Sequence, residues 1–136
     1  MAKKIYVTYC SAEKNSIEKE IKAIDRYRSE RIKHVQLIAK QDKADFMILS
    51  GKFGLLAPTD LIPNYDHLLK AFETTRLSKM VAKQMKSLKG KSVVMYSHWM
   101  DTDINVAPYI ETLTDACELT KTPFDLVVFD EDVPVD

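Results

Sequence analysis

Four short runs of apolar residues limit the folds open to this chain more than any other feature of its sequence. They span residues 4–9, 45–49, 92–96 and 125–129 and are enriched in β-branched and aromatic side chains. Runs of this length and composition are typical of strands, and the last three read as fully buried ones. Segments with helical periodicity separate them, which predicts right-handed crossovers and a mostly parallel sheet. We therefore predict an α/β fold, a three-layer α/β/α sandwich with a mostly parallel four-stranded sheet.

Four helices are expected to connect these strands. Ser16 can cap the first, which carries Ile17, Ile21 and Ile24 at helical spacing. The remaining helix ends are marked by capping residues, prolines and a glycine: Arg28-Ser29 for the second helix, Thr74 or Thr75 and Lys89-Gly90 for the third, Pro108 and Lys121 for the fourth.

A long segment without clear periodicity follows the second predicted strand. Its core reads SGKFGLLAPTDLIPNYD, from Ser50 to Asp66, and a short helix can lie within residues 64–72. Loops of more than about 15 residues without structure of their own are uncommon in compact domains and are often functional. We therefore expect functional residues in this segment.

Length and charge indicate a single domain without a strong global preference for polyanions. The chain has 136 residues and a formal net charge of +0. We predict one α/β domain over residues 1–130 and a short acidic tail over 131–136, expected to be frayed. Two cysteines without a CxxC motif argue against a disulfide scaffold or a structural zinc site. No apolar run reaches about 20 residues, so we expect a cytoplasmic protein that does not enter the membrane.

The residues that follow each predicted strand are candidates for a site, because ligands bind at the carboxyl ends of strands in open parallel sheets. Three of the four ends carry a small hydroxyl residue, and ordinary loop polarity explains any single one. The coincidence across three ends favours a shared site. The candidates are Cys10 and Ser11 after the first strand, Ser50, Gly51 and Lys52 after the second, Ser97, His98, Trp99, Asp101 and Asp103 after the third, and Asp130 after the fourth.

The glycines of the SGKFG string do not form a standard phosphate loop. That loop requires GxxxxGK followed by Ser or Thr, and here Phe53 follows Lys52. A GxGxxG fingerprint is also absent, so a Rossmann-like sheet here lacks the usual dinucleotide motif. Gly51 and Gly54 can still present backbone N–H groups to an anion beside the charge of Lys52. An ordinary glycine turn with an exposed lysine is an equally good explanation.

Cys10 and His98 are candidate catalytic groups at the strand ends. Cys10 is expected before a helix and near Lys14, which favours a thiolate, although free cysteines are most often small core residues. His98 is a candidate general acid or base, and Trp99 can stack on a flat ligand or simply cover the sheet edge. With Asp101 and Asp103, His98 forms only a loose pattern, so no metal is predicted.

The third predicted helix carries a row of cations that has two explanations. Arg76, Lys79, Lys83 and Lys86 recur at steps of three and four residues and therefore share a face. A basic stripe of this kind can follow a nucleic-acid backbone. A solvated face opposite the apolar residues of the helix is the more frequent explanation.

The string ILSGKFGLL at residues 48–56, followed by IPNYD at residues 62–66, resembles the hallmark of a family of small uncharacterised α/β proteins from bacteria, archaea and phages. The family pattern usually has alanine at the position of Gly51. Asn64 is an extra residue of this chain, directly before Tyr65. A first strand that ends in Cys10 with Lys14 shortly after, and the Tyr27-Arg28-Ser29 string, also fit the family pattern. The matches span residues 5–66.

The cysteine, lysine and tyrosine elements also resemble, more distantly, the core domain of archaeosine synthase, an enzyme of tRNA 7-deazaguanine modification. The lysine of that motif is followed by Pro-Tyr, whereas Asn15-Ser16 follow Lys14 here. Kinship of this kind does not fix a reaction. The family resemblance implies a pocket built from Cys10, Lys14, Tyr27, Ser29, Ser50, Lys52, Tyr65 and Asp66.

These observations favour an enzyme acting on a nucleobase, a nucleotide or a related phosphorylated small molecule. In this hypothesis Lys52 and the Ser50–Gly54 amides hold an anion, Asp66 or His98 moves a proton, and Cys10 or Ser11 attacks or positions the substrate. Two alternatives stay open: a ligand- or nucleic-acid-binding module without turnover, and a scaffold in which the motif is structural. Cofactor, substrate and oligomeric state are not indicated by the sequence.

Overall fold

Eleven regular elements build the chain in the computed structural model, which describes residues 3–88, 91–130 and 132–136. Two further single turns of 3₁₀ helix lie at Ala71–Glu73 and Lys86–Leu88. The elements are, in chain order, β1 (Lys3–Tyr9), β2 (Ile21–Lys22), α1 (Ala23–Arg26), α2 (Glu30–Gln41), β3 (Asp45–Ser50), β4 (Gly54–Leu56), β5 (Leu61–Ile62), α3 (Thr74–Met85), β6 (Lys91–Ser97), α4 (Ala107–Thr120) and β7 (Phe124–Val128).

A mixed, mostly parallel sheet in the order β4-β3-β1-β6-β7 positions the strand ends. β1 lies between β3 and β6 and pairs in parallel with both, and β6 pairs in parallel with β7. The predicted α/β class is therefore confirmed. β1 occupies the middle of the sheet, which explains why its residues from Ile5 to Cys10 are all buried.

The sheet has five strands rather than the four predicted, because the chain reverses directly after β3. Residues 51–53 form a turn, and β4 then returns antiparallel to β3, with Ser50 opposite Gly54. Gly54 has a φ of 74°, a left-handed value that favours glycine, and a Cβ there would lie 2.4 Å from Gln84 Oε1. The Gln84 side chain in turn accepts from Leu55 N at 2.8 Å and donates to Phe53 O at 3.0 Å. β4 therefore lies within the segment that was predicted to be a loop.

Three of the four predicted helices are present at α2, α3 and α4. Ser29 caps α2 by accepting from Ile32 N at 3.2 Å, and Pro108 lies in the first turn of α4, as its sequence indicated. α3 starts at Thr74 and ends at Met85, and the predicted end at residues 89 and 90 lies outside the described residues. Within residues 64–72 only the start of the 3₁₀ turn is helical.

The first predicted helix is wrong, and a buried arginine explains why. Residues 16–20 form no helix, and α1 is a single turn at Ala23–Arg26. The fully buried Arg26 guanidinium donates to backbone carbonyls of this segment and of β5, which bends the chain around it. The acceptors are Asn15 O at 2.6 Å, Ile17 O at 2.8 Å, Lys19 O at 2.7 Å and Ile62 O at 3.3 Å. Carbonyls turned toward one side-chain donor in this way are not aligned along the chain axis as the carbonyls of a helix are.

Alternate residues of β1 pack into two separate groups of buried side chains. Ile5 and Val7 belong to the larger group, which also holds Leu77 of α3 and Leu113 of α4. Tyr6 belongs to the smaller group, with Val35 and Ala39 of α2 and Val94 of β6. The period of two along β1 therefore directs its side chains to two different sets of helices.

Replacing Arg26 with methionine should lower the free energy of unfolding by about 3 kcal/mol, since each buried carbonyl left without a donor costs roughly 1–3 kcal/mol. Arg28, two residues away, is exposed and serves as the matched control. Arg28→Met should change stability by less than about 0.5 kcal/mol. Urea unfolding of both variants checks this, and equal effects would show that the Arg26 contacts do not hold the segment.

Candidate functional site

The carboxyl ends of β1 and β3 bring Cys10 and Ser50 to the same edge of the sheet. The two strands are parallel neighbours with Tyr9 opposite Leu49, and Cys10 N donates to Leu49 O at 2.9 Å. Three partly or fully buried tyrosines, Tyr27, Tyr65 and Tyr109, join these residues. We call Cys10, Ser50 and these three tyrosines the tyrosine cluster.

A chain of hydroxyl groups runs through one side of the tyrosine cluster. Ser50 Oγ accepts from two backbone groups, Lys52 N at 3.1 Å and Phe53 N at 3.0 Å. Both of its lone pairs are then engaged, so its proton is donated to Tyr65 Oη, which lies 2.8 Å away. Tyr65 Oη is also hydrogen-bonded to Tyr27 Oη, and either phenol can be the donor. Ser50 thus both holds the turn after β3 and orients two phenols.

Cys10 contacts the third phenol on the other side of the cluster. Its Sγ donates to Tyr109 Oη at 3.5 Å, and Tyr109 Oη also accepts from Leu69 N at 3.4 Å. Gly51 permits this approach, because a Cβ there would lie 3.1 Å from both Tyr109 Oη and Leu69 Cβ. A hydroxyl that accepts from a thiol can rotate and donate to the thiolate, so Tyr109 suits either state of Cys10.

Two lysines bring positive charge to the Tyr65 ring. Lys14 Nζ lies 4.6 Å and Lys52 Nζ 6.0 Å from the ring centre, and Lys14 is also 5.9 Å from the Tyr27 ring. Lys14 reaches this position because it pairs with Tyr27 in an antiparallel bridge. Cations over aromatic faces are favoured by the ring quadrupole. The cluster therefore combines a thiol, three phenols and two nearby cations.

Burial keeps the phenols of the cluster neutral. It is the largest cause that raises the pKa of Tyr27, Tyr65 and Tyr109 above the ordinary value of 10.0, and the nearby Cys10 thiol raises each further. The cluster therefore offers hydroxyl groups, and not phenolates, at neutral pH.

A cavity of about 120 Å³ opens beside the tyrosine cluster. Cys10, Ser11, Lys14, Asp66 and Tyr109 are among the residues that line it. An open cleft of about 440 Å³ adjoins it and shares Ala12, Lys14 and Asp66 with it. Asn64 and Tyr65 complete the cleft.

Most of the sequence-predicted site residues are assembled in this region. Lys52 and Asp66 are both exposed; Lys52 Nζ lies 6.0 Å from the centre of the Tyr65 ring, and Asp66 follows Tyr65 in the sequence. They form no ion pair within 4.0 Å in the described chain. Ser11 is buried and donates to Glu13 O at 2.7 Å, which fixes the turn after β1. Gly51 and Gly54 shape the turn after β3, as described above.

His98 and Trp99 lie apart from both cavities. His98 is buried, its ring packs 5.0 Å from that of Phe129, and its Nε2 donates to Pro134 O at 3.0 Å. Trp99 is exposed. Neither residue lines the cavity or the cleft, so their predicted catalytic and stacking roles stay predictions. Within residues 3–88, 91–130 and 132–136, no three His, Cys, Asp or Glu side chains are grouped so as to hold a metal ion.

Arg31 and Asp136 are site residues that the sequence analysis missed. The fully buried Arg31 guanidinium donates to Thr8 Oγ1 and Tyr9 O at 2.7 Å each and to Cys10 O at 3.1 Å. Its Nη2 also contacts Asp136 Oδ2 at 2.5 Å. Asp136 lines the cavity with Cys10, so the described part of the acidic tail is anchored here instead of fraying.

The helical periods contained a signal for two missed residues. Arg31 precedes the buried Val35 and Ala39 by four and eight residues, which places it on the inner face of α2. Tyr109 precedes the buried Leu113 by four residues on α4 in the same way. In both helices, a polar residue at helical spacing from buried apolar residues indicated a buried polar group. Nothing in the sequence pattern pointed to Asp136.

The fold and these residues define an α/β protein with a polar pocket at the carboxyl ends of adjacent parallel strands. A family model described as a family of unknown function (DUF6884) matches residues 5–100, and the chain belongs to that family. The match includes Cys10, Lys14, Tyr27, Ser50 and Tyr65, whereas Tyr109 and Asp136 lie beyond it. No curated protein and no solved structure matches the chain.

Membership in a family without an established function agrees with the resemblance drawn from the sequence. The specific ILSGKFGLL and IPNYD pattern, and the distant resemblance to archaeosine synthase, stay predictions. None of the helices in the described ranges has the length and apolar character needed to cross a bilayer.

Tyrosine ionisation should distinguish the folded from the unfolded chain sharply. The pKa values of all six tyrosines are raised in the folded state. At pH 10 the unfolded chain should show about half of its tyrosines ionised, and the native chain far fewer. Ultraviolet absorbance of tyrosinate in buffer and in guanidinium checks this, and matching spectra at pH 10 would contradict the burial of these phenols.

The same raised pKa values determine how the free energy of unfolding changes at alkaline pH. A raised folded-state pKa leaves stability unchanged below the unfolded value of 10.0 and lowers it as the pH rises above that value. Each cluster tyrosine should contribute a loss of about 1.4 kcal/mol per pH unit in that range. Urea unfolding at pH 9, 10 and 11 gives the measurement, with a flat profile as the contrary outcome.

Proposed function

We propose that this protein is an enzyme acting on a nucleobase, a nucleotide or a related phosphorylated small molecule at the carboxyl ends of β1 and β3. The observation that carries the proposal is the position of Cys10, which lines a cavity, contacts a phenol and lies in the same pocket as the Lys14 cation. A thiol is a nucleophile once deprotonated, and neighbouring cations and hydrogen-bond donors favour that form.

The sizes of the two spaces support a ligand of this class. Small-molecule sites usually measure roughly 300–1,000 Å³, so the cavity of about 120 Å³ suits one small group and the cleft of about 440 Å³ the rest of the ligand. Lys14 and Lys52 supply charge for an anionic portion. Lys14 already lies over the Tyr65 ring, so a base that stacks on that face has to displace it.

The residues of the pocket suggest a covalent addition. The Cys10 sulfur forms a bond to an electrophilic carbon of the substrate, and its proton passes to the Asp66 carboxylate, which lines the same cavity. The electron pair of the attacked double bond moves to the heteroatom, where Lys14 stabilises the developing charge. Tyr109 donates to the thiolate before attack.

The domain that carries this site is proposed to be a three-layer α/β/α sandwich over residues 1–130, supported by the two groups of buried side chains.

A ligand screen tests this function directly. Thermal unfolding is measured with nucleotides, deazapurines and sugar phosphates, and a true ligand at 100 times its Kd should add about 2.7 kcal/mol of stability. Lys14→Ala and Lys52→Ala should remove most of this gain. Lys79→Ala, which changes an exposed lysine on α3, should keep it. Failure of every compound to stabilise the wild-type protein would refute the proposed substrate class.

A nucleic-acid-binding module is the second candidate function, because the basic row on α3 and the 3₁₀ turn after it is exposed. Arg76, Lys79, Lys83 and Lys86 all face solvent, although Glu73 lies 3.5 Å from Arg76. RNA binding through this row should weaken with salt, with a slope of roughly −0.7 per phosphate contacted on a single strand. Lys79→Glu combined with Lys83→Glu should abolish it, whereas Lys33→Glu with Lys40→Glu on α2 should change it little. Binding without salt dependence would exclude this function.

A further inference from the structure

Asp136 places a carboxylate between the pocket and a buried cation. Its Oδ2 accepts from Arg31 Nη2 at 2.5 Å, and its Oδ1 accepts from Ser29 Oγ at 2.6 Å. The side chain is 13% exposed. Asp136 also lines the cavity that contains Cys10. The Asp136 carboxylate therefore forms part of the cavity wall, and two hydrogen-bond donors, Ser29 and Arg31, hold its oxygens from behind.

The protein side of this position is fixed without Asp136. Arg31 is held by Thr8 Oγ1 and by the carbonyls of Tyr9 and Cys10, which orient its guanidinium at the end of β1. Ser29 is held as the N-cap of α2, a helix of 12 residues, where its side chain accepts from Ile32 N. A buried guanidinium beside a helix N-terminus is a strong partner for carboxylate or phosphate. Burying such a charge is costly, and an anion close to it offsets part of that cost.

The segment that delivers the carboxylate is attached at few points. Over residues 132–136, the described hydrogen bonds to other parts of the chain are those of Asp136, the bond from His98 Nε2 to Pro134 O, and Val133 N to Asp130 O at 3.2 Å. Pro134 and Val135 are exposed. Few hydrogen bonds have to break for this strap, residues 132–136, to leave the pocket.

We propose that Ser29 and Arg31 form an oxyanion-binding subsite of the pocket, and that the Asp136 carboxylate is an internal substitute for the phosphate or carboxylate group of the ligand. This inference rests on the proposed function, since it assigns the position of the anionic group of that ligand. Binding of the ligand displaces Asp136 and releases the strap. The strap thus lowers the affinity of the subsite for anions that bind only there. Ligands that also fill the cavity beside Cys10 bind tightly enough to displace it.

Charge removal at Asp136 tests the subsite. Asp136→Asn keeps the shape and removes the competing charge, whereas Asp132→Asn makes the same change at an exposed position of the strap. Calorimetric titration with inorganic phosphate and with acetate, at ionic strength held constant with chloride, should show at least about tenfold tighter binding of one oxyanion to D136N than to wild type. D132N should bind like wild type. The oxyanion with the larger gain identifies the group that the subsite takes.

A second variant connects this gain to Ser29. Glycine is tolerated at a helix N-cap, so Ser29→Gly removes the hydroxyl with little loss of helix stability. In the D136N background it should weaken oxyanion binding about tenfold, the value of one charge-assisted hydrogen bond. Equal affinities of D136N and D132N, or no effect of Ser29→Gly, would overturn the proposal. A D136N protein that stays unfolded in the presence of phosphate and of acetate would also count against the proposal.

The outcomes separate this inference from the proposed function. Oxyanion binding to D136N through Ser29, combined with a ligand screen in which nothing binds, would support the subsite and refute the substrate class. A ligand from the screen that binds D136N and wild type equally, through Lys14 and Lys52, would support the substrate class and refute the subsite.

Discussion

The donation from Arg31 to the end of β1 is the interaction on which the pocket depends. β1 is the middle strand, and the fully buried Arg31 guanidinium donates to the carbonyls of its last residue, Tyr9, and of the following Cys10. The guanidinium also lies 3.7 Å from the centre of the Tyr9 ring, and burial, partly offset by this cation, raises the pKa of Tyr9 to about 12. The backbone of Cys10 is therefore oriented by a residue that belongs to another element.

Arg26, the second buried arginine, has the same role for the segment that carries Lys14. Arg26 gathers the carbonyls of residues 15–19 and of Ile62, and the bridge between Lys14 and Tyr27 follows from that path of the chain. Lys14 owes its place over Tyr65 to this arrangement. Each arginine binds irregular backbone with side-chain donors, and residues that line the cavity and the cleft, such as Cys10 and Lys14, lie in these segments. Burying such charges is costly, and a site that requires irregular backbone is one reason for a fold to retain them.

The parts of the structure that follow from local periodicity could be predicted, and the rest depended on contacts between distant residues. The four parallel strands β1, β3, β6 and β7 and the helices α2, α3 and α4 were identified from apolar spacing and capping residues such as Ser29 and Pro108. β7, however, is a largely exposed edge strand and not the buried strand that was predicted. The grouping of Cys10, Ser50 and Tyr65 followed from the rule for strand ends and from the family resemblance. Arg26 could not be anticipated as the reason that residues 16–20 avoid a helix, since their isoleucines have helical spacing. Asp136 was equally hidden, because its partner lies 105 residues earlier in the chain.

The contact of Gln84 with β4 has a consequence for how this sheet can associate with other chains. An edge strand normally presents unpaired N–H and C=O groups that can template a further strand. Here a side-chain amide from α3 binds Leu55 N and Phe53 O, so one glutamine takes the place of a neighbouring strand. The opposite edge, β7, carries the exposed Val127 and Val128. The two edges of the sheet therefore differ: a side chain of α3 occupies hydrogen-bonding groups at the β4 edge, whereas the β7 edge presents exposed valines.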